Sequence, residues 1–200
     1  VTSEEAIAAR FGWKHLVLAI TQGMDAVFID NALTYSHPGE IRLGAAPQTE
    51  PGVVDDIAEL LERAGISHTV EQDIQRRMWT KLMMNVGINQ TCMVFGGTYG
   101  SALADSEQNR CLVAAMREAK AVANAEGIAL TEDDLNEMVD IVAGLDPNGM
   151  PSMAQDRINR KPTEVALFAG TIIDRAEHHG LLVPQNRWLL ARVREIESSW

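Results

Sequence analysis

Cysteine is scarce in this chain. Its 200 residues hold two, Cys92 and Cys111, which form no C-x-x-C pair and have no histidine clustered beside them. That argues against a disulfide framework, and a reduced, cytoplasmic setting is the simpler reading. No His, Cys and carboxylate cluster has zinc-like spacing, so no metal is expected. Basic residues are outnumbered: 17 Lys and Arg stand against 28 Asp and Glu, for a net charge of −11. Such acidity argues against non-specific binding to DNA, RNA or an anionic membrane, while leaving room for a local positive pocket. Long apolar runs are missing as well, since none approaches the roughly 20 residues needed to span a bilayer. The opening, VTSEEAIAARFGWKH, has neither the basic start nor the apolar centre of a signal peptide. Also absent is a G-x-G-x-x-G turn after a strand; the glycine-rich stretches GGTYG and QGM have other spacings and contexts.

What is present suits a globular protein of one large domain or two small ones, with 46% hydrophobic and 22% charged residues. The texture changes near residue 72. Before it, HLVLAIT (His15–Thr21) reads as a buried strand, and DAVFIDN and GEIRLG flank ALTYSHP as an expected antiparallel pair closed around Pro38-Gly39. VVDDIAELLERAG repeats its apolar residues at helical spacing and ends on Gly65, and ISHTVE is a short strand. After residue 72 the pattern is helical almost throughout. Asp73 is positioned to cap IQRRMWTKLMMNVGINQTCMVF. Ser106 and Gly127 bound the next helix, and Thr131 with three acids opens another. SMAQDRINR is a short helix, TEVALFAGTIIDRAEHHG a long one ending at Gly180, and Pro184 opens the last. The expected layout is therefore an α/β remnant over residues 1–72, followed by an all-α domain of five or six helices over 73–200.

Within WTKLMMNVGINQ a polar stripe interrupts an otherwise apolar helix. Lys81, Asn85 and Asn89 are spaced by four, and on an ideal helix they occupy an arc of roughly 80°. Met78, Leu82, Met83, Met84, Val86 and Ile88 cover most of the rest of the circumference. Two readings stand. The stripe is the solvated face of an amphipathic helix, or it is an internal face whose amides and ammonium need an occupant, because burying an unpartnered amide costs roughly 1–3 kcal/mol. Asparagine favours the second reading, since a solvated face normally uses better helix formers. Gly87 also points that way, because it lets another backbone or a ligand come close.

These residues carry a resemblance. W-x-K-x-x-x-N-x-x-x-N, at Trp79, Lys81, Asn85 and Asn89, resembles the signature opening the C-terminal domain of ketopantoate reductases (2-dehydropantoate 2-reductases). PSMAQD (Pro151–Asp156) followed by KPTEVALFAG (Lys161–Gly170) resembles that family's S-M-x-Q-D and T-E stretch, and HHGLLVPQN its G-I-x-x-P-x-N ending. The resemblance implies a Rossmann-type nucleotide-binding domain and a helical C-terminal domain of the 6-phosphogluconate dehydrogenase type. It also implies NADP(H) as cofactor, reduction of 2-dehydropantoate to pantoate on the way to pantothenate, and a homodimer as a candidate assembly. By motif, Lys81 matches the catalytic lysine, and Glu164 a glutamate at the reacting centre. Asn85, Asn89 and Ser152 match residues that hold substrate.

The chemistry agrees with those roles. Hydride delivered to a ketone leaves charge growing on its oxygen, which a fixed ammonium stabilises and protonates. Ser152 reads equally well as the N-cap of its helix, and Glu164 as a first-turn acid favoured by the helix dipole. The phosphate-binding turn is expected upstream of Val1, so the chain reads as the C-terminal two-thirds of such an enzyme and is expected to be inactive and weak for NADPH by itself. After Glu164, Ala166 and Ala169-Gly170 stand where the family often has an acid and Asn-Gly, which keeps a different 2-oxo acid open as substrate. The rival from another class is a non-catalytic helical dimerisation or scaffold module.

Overall fold

The computed structural model describes residues 2–24, 27–29, 31–35 and 37–200, and the chain divides into two compact units, Val1–Met78 and Trp79–Trp200. The division falls inside a helix, a few residues beyond the change of texture at 72.

The first unit begins with helix α1 (Ser3–Phe11). Strand β1 (Val17–Met24) pairs antiparallel with β4 (Pro38–Ala45), from Val17 opposite Ala45 to Met24 opposite Pro38. Strand β5 (His68–Val70) adds parallel to β4, with Ile41 opposite His68. Helix α2 (Val53–Arg63) connects β4 to β5. The antiparallel partner expected for GEIRLG was DAVFIDN, and the structure corrects this. Its central residues form β2 (Val27–Ile29), which pairs with β3 (Ala32–Thr34) drawn from the supposed connector. Asn31 closes that hairpin at φ 62, a left-handed conformation that asparagine tolerates. An Asp-Asn pair is a weaker hairpin signal than Asn-Gly, and the eight-residue β1 is a longer partner for β4 than three residues of β2. Asp25, Ala26 and Asp30 of the expected strand lie outside the described residues. Leu18, Ala46, Ile74 and Met78 form the core of this unit, with Trp13, Leu16 and Ile20 packed against it.

Helix α3 (Ile74–Phe95) begins where Asp73 accepts the Arg76 N–H at 3.0 Å. Its Met83, Val86, Cys92 and Met93 are wholly buried, so the methionines fill core. The second unit continues with α4 (Tyr99–Leu103), α5 (Glu107–Ala125), α6 (Glu132–Ala143), α7 (Ser152–Asn159), a π-helical turn (Ala166–Gly170), α8 (Thr171–His178) and α9 (Pro184–Ser198). Helix α5 packs against α4, α6, α8 and α9. Ser106 and Thr131 cap as expected, the latter in a reciprocal capping box with Asp134.

Gly65, Gly127 and Gly180, at φ 67, 85 and 65, each close a helix the same way. The glycine N–H and the next residue's N–H bind the last free carbonyls, as in Gly180 to Glu177 and Leu181 to Ala176. Two expectations need correction. The expected long helix from Thr163 to Gly180 runs on without a break but includes a π-helical turn, and Tyr99–Leu103 makes an additional short helix that begins in GGTYG. A widened turn leaves no mark in a 3.6-residue period. The short helix had a local signal, Thr98 and Ser101 in reciprocal capping bonds.

Candidate functional site

Helix α3 is apolar almost all round, and its polar ridge is not a solvated face. Lys81 and Asn85 are half-buried, and Asn89 is only 6% exposed. Burial pushes the Lys81 ammonium below its ordinary pKa, because the charged form is the one desolvation penalises. Ser152 lies 63 residues further on, yet its hydroxyl donates to Asn89 Oδ1 at 3.0 Å. The Met153 N–H donates to the same oxygen at 3.4 Å, and Asn89 Nδ2 donates to Asn85 Oδ1 at 3.4 Å. Three of the five residues singled out by sequence are thus linked by hydrogen bonds, with Lys81 one turn away on the same helix.

Ser152 is not the N-cap of α7. Pro151 holds that position without a side-chain bond, and Ser152 is the first helical residue with its hydroxyl turned to α3. Glu164 stands apart. Its side chain is exposed and makes no hydrogen bond or ion pair among the described residues, and its carbonyl accepts the Leu167 and Phe168 N–H groups at the head of the π-helical turn. Thr163, just before it, is anchored: its N–H and hydroxyl both donate to Glu197 Oε1 at 2.7 Å. The T-E pair therefore consists of one residue tied to α9 and one left free to meet something else.

Gly87 serves packing between helices. A Cβ there would stand 2.5 Å from Met116 Cγ and 3.4 Å from Leu112 Cγ, so α5 side chains, rather than a ligand or backbone, occupy the space it leaves. Next to it, the buried Gln90 donates to Val86 O at 2.7 Å and to Asn186 Oδ1 at 3.4 Å, while its own Oε1 has no partner.

Sequence reasoning missed several groups that hold this architecture. Glu118 accepts the N–H groups of Gln185 and Asn186 at 2.8 and 2.9 Å, and the Asn186 side-chain amide at 2.8 Å. A carboxylate from α5 thereby caps the first turn of α9, where Pro184, lacking an N–H, needs no acceptor, and this is the physical content of the P-Q-N stretch. The Arg175 guanidinium lies over the Trp79 ring at 5.7 Å and donates to Glu126 at 2.8 Å. His179 Nε2 is 3.0 Å from the other oxygen of the same carboxylate. This cluster holds the tryptophan of the W-x-K motif two residues before Lys81. Separations of 49 and 67 residues carry no periodic or local signal, so neither partnership was legible in the sequence. Arg157 donates to the Met93 and Val94 carbonyls at 2.6 and 2.8 Å and closes the C-terminal end of α3. It also lines a cleft of about 280 Å³ with Gly96, Met150, Ala154 and Ile158, which includes none of the ridge.

Both cysteines are buried, and burial pushes each thiol up to about 12, which rules them out as nucleophiles at neutral pH. Among the described residues no group of three His, Cys, Asp or Glu is arranged to hold a metal ion, and no helix is long and apolar enough to cross a membrane. The residues present do not fit a dinucleotide pyrophosphate. The link from β4 into α2 has no G-x-G-x-x-G, and the first turn of α2 carries Asp55 and Asp56, whose charges oppose a phosphate there.

Known proteins resemble this chain in sequence and in fold. The family model described as the ketopantoate reductase PanE/ApbA C-terminal domain matches residues 73–197. The 2-dehydropantoate 2-reductase of Vibrio cholerae serotype O1 is 30% identical over 166 residues, covering 82% of this chain and 56% of the relative. That of Halobacterium salinarum is 31% identical over 156 residues, covering 78% and 51%. The chain spans about half the length of these relatives. Among solved structures, D-mandelate dehydrogenase with NADH and anilino(oxo)acetate superposes with a TM-score of 0.88 at 19% identity, over 100% of this chain and 65% of that one. A dimeric ketopantoate reductase from Staphylococcus aureus gives 0.79 at 21% identity, over 92% and 62%. At these identities the likeness is one of fold.

Proposed function

The chain belongs to the ketopantoate reductase family, and from that premise we propose that it supplies the substrate-holding half of a reductase turning a 2-oxo acid into a 2-hydroxy acid. The first substrate to consider is 2-dehydropantoate, the one named for its relatives. The observation that carries the reading is the half-buried ridge of Lys81 and Asn85 on α3, tied through Asn89 to Ser152 on α7. Lys81 is the general acid. Its ammonium stabilises the oxygen that gains charge and then protonates it, while Asn85 orients the carboxylate, joined by Ser152 once its hydroxyl turns from Asn89 to the anion. Glu164, exposed and uncommitted, is the group that meets the substrate or orients Lys81 once substrate is bound. The electron donor is a reduced nicotinamide, NADPH by the family resemblance. The residues here build no phosphate seat for it, so what they do is confined to the side of the acid. Residues 1–72 are proposed as the end of the nucleotide-binding domain and 73–200 as the catalytic domain. A homodimer and a cytoplasmic setting belong to the same reading.

The test is Lys81→Ala in the complete reductase. Loss of a general acid lowers kcat by about 10²–10⁴-fold, whereas in a scaffold module the substitution is silent or slightly stabilising. A normal rate removes Lys81 from the mechanism. A second substrate class is favoured by one feature: Ala166 and Ala169 bring no polar group to the turn that follows Glu164. Comparing kcat/KM for 2-dehydropantoate with that for unhydroxylated branched 2-oxo acids decides between the two classes.

A further inference from the structure

Glu197 sits in the last turn of α9, where the negative end of the helix dipole disfavours a carboxylate. What it binds accounts for its place. Its Oε1 accepts the Thr163 N–H and the Thr163 hydroxyl, each at 2.7 Å. A hydroxyl has one proton to give, and Glu197 takes it. The lone pairs of Thr163 Oγ1 are left to accept, and the Val165 N–H donates to that oxygen at 3.4 Å. One hydroxyl therefore joins the backbone on both sides of Glu164. Beyond it, Val165 is buried, and the Glu164 carbonyl accepts the Leu167 and Phe168 N–H groups. Glu164 thus has a held backbone and an exposed side chain that makes no hydrogen bond or ion pair among the described residues.

We infer that Glu197 is a positioning residue for the reductase reaction. It acts across 34 residues of sequence, directing the Thr163 hydroxyl and so fixing the backbone from which the Glu164 side chain projects. The inference rests on the proposed role of Glu164 as the group that meets substrate. Both Thr163 donors are neutral, so what position 197 must supply is an oxygen acceptor, and an amide oxygen serves as well as a carboxylate. With no acceptor there, the hydroxyl turns its proton elsewhere, the bridge to Val165 is no longer directed, and the Glu164 carboxylate loses its aim.

The test is a mutant cycle in the complete reductase with NADPH and 2-dehydropantoate, with folding checked by thermal melt. Misplacing a reacting group by about 1 Å costs up to about 10²-fold, so Glu197→Ala lowers kcat/KM by about 10–100-fold. Glu197→Gln keeps the acceptor and stays within about fivefold of wild type, the margin of a charged over a neutral hydrogen bond. Glu164→Ala with Glu197→Ala matches Glu164→Ala alone to within about twofold, because Glu197 acts through Glu164. A residue that only braces α9 gives factors that multiply in the double variant. Multiplied factors, or a Gln variant as slow as the Ala one, overturn the positioning role and leave the proposed reaction standing. Should Glu197→Ala fail to fold, Thr163→Val, which removes the bridging hydroxyl and keeps the N–H, takes its place in the cycle, with Thr163→Ser as the rescue. A rate unmoved by Glu164→Ala removes Glu164 from the reaction and the role of Glu197 with it. Wild-type enzyme without turnover counts against the reaction alone. The same cycle is then read in the Kd of oxamate, a 2-oxo acid mimic whose NH2 gives Glu164 a donor to meet. Multiplied factors there, or no binding, overturn the inference.

Discussion

Lys81 holds its proton less tightly than a surface lysine, because burial disfavours the ammonium. In its proposed role of general acid it must be protonated, so kcat/KM for reduction is expected to fall as pH rises through the folded-state pKa, with this alkaline limb beginning below the ordinary lysine range. Lys81→Arg, which stays charged, loses the limb along with most of the rate. The same shift acts on folding. The unfolded chain keeps this proton to higher pH than the folded one, so between the two values the unfolded state binds more protons and stability rises with pH. The gain is complete above the unfolded value and lost as pH falls through the folded one. A pH–rate profile and denaturant midpoints across the same range measure both effects. At this scale the spacing of four of Lys81, Asn85 and Asn89 on an apolar helix marked the ridge without coordinates, and Ser152 entered only through its motif. It could not assign Asn89 to the bracket between α3 and α7, because Ser152 lies 63 residues away.

Helices here are held by contacts that single residues set. Gly87 lets Met116 of α5 nest against α3. Gly87→Ala gains about 1 kcal/mol of helix propensity but forces overpacking that costs about 1–3 kcal/mol. Chemical denaturation should therefore show a net loss, which Met116→Ala in the same chain partly relieves. Glu118 closes the first turn of α9 with two backbone bonds and one to the buried Asn186. Glu118→Ala leaves those donors unmet and lowers stability by about 2–4 kcal/mol. A change within the scatter of the measurement would mean that water replaces the carboxylate. Most of the helices were legible, α3 with both its boundaries, because caps and glycine stops are local chemistry, whereas α1 and the short α4 were not expected. The strand partners of the first unit and the π-helical turn were not, since pairing depends on which distant strand offers the longer match and a widened turn depends on what lies above it.

At the scale of the molecule, the chain carries the ridge proposed to hold substrate, and its described residues build no seat for a pyrophosphate. The expected outcome of titrating NADPH into this polypeptide is weak binding or none, followed by nicotinamide fluorescence or calorimetry. Micromolar affinity would require a phosphate site that neither the glycine pattern nor the acidic start of α2 provides. Composition argued against non-specific association with nucleic acid, and three ordered motifs carried the family. What the sequence withheld was the support behind those motifs. Thr163 on Glu197, Arg175 over Trp79 and Glu118 under Asn186 each join segments 34 or more residues apart.

Because Asn89 Nδ2 donates to Asn85 Oδ1, the Asn85 amide turns its NH2 away from Asn89, and for the proposed reaction this has a consequence for metabolic sorting. A 2-oxo acid and the amino acid made from it by transamination share the carboxylate and side chain, and differ at C2, where one carries an oxygen and the other an ammonium. A surface that offers only hydrogens welcomes the first and sets like charge against the second. In the proposed reaction the pair is told apart with no gate and no moving part, by the Lys81 charge and by which way one carboxamide faces.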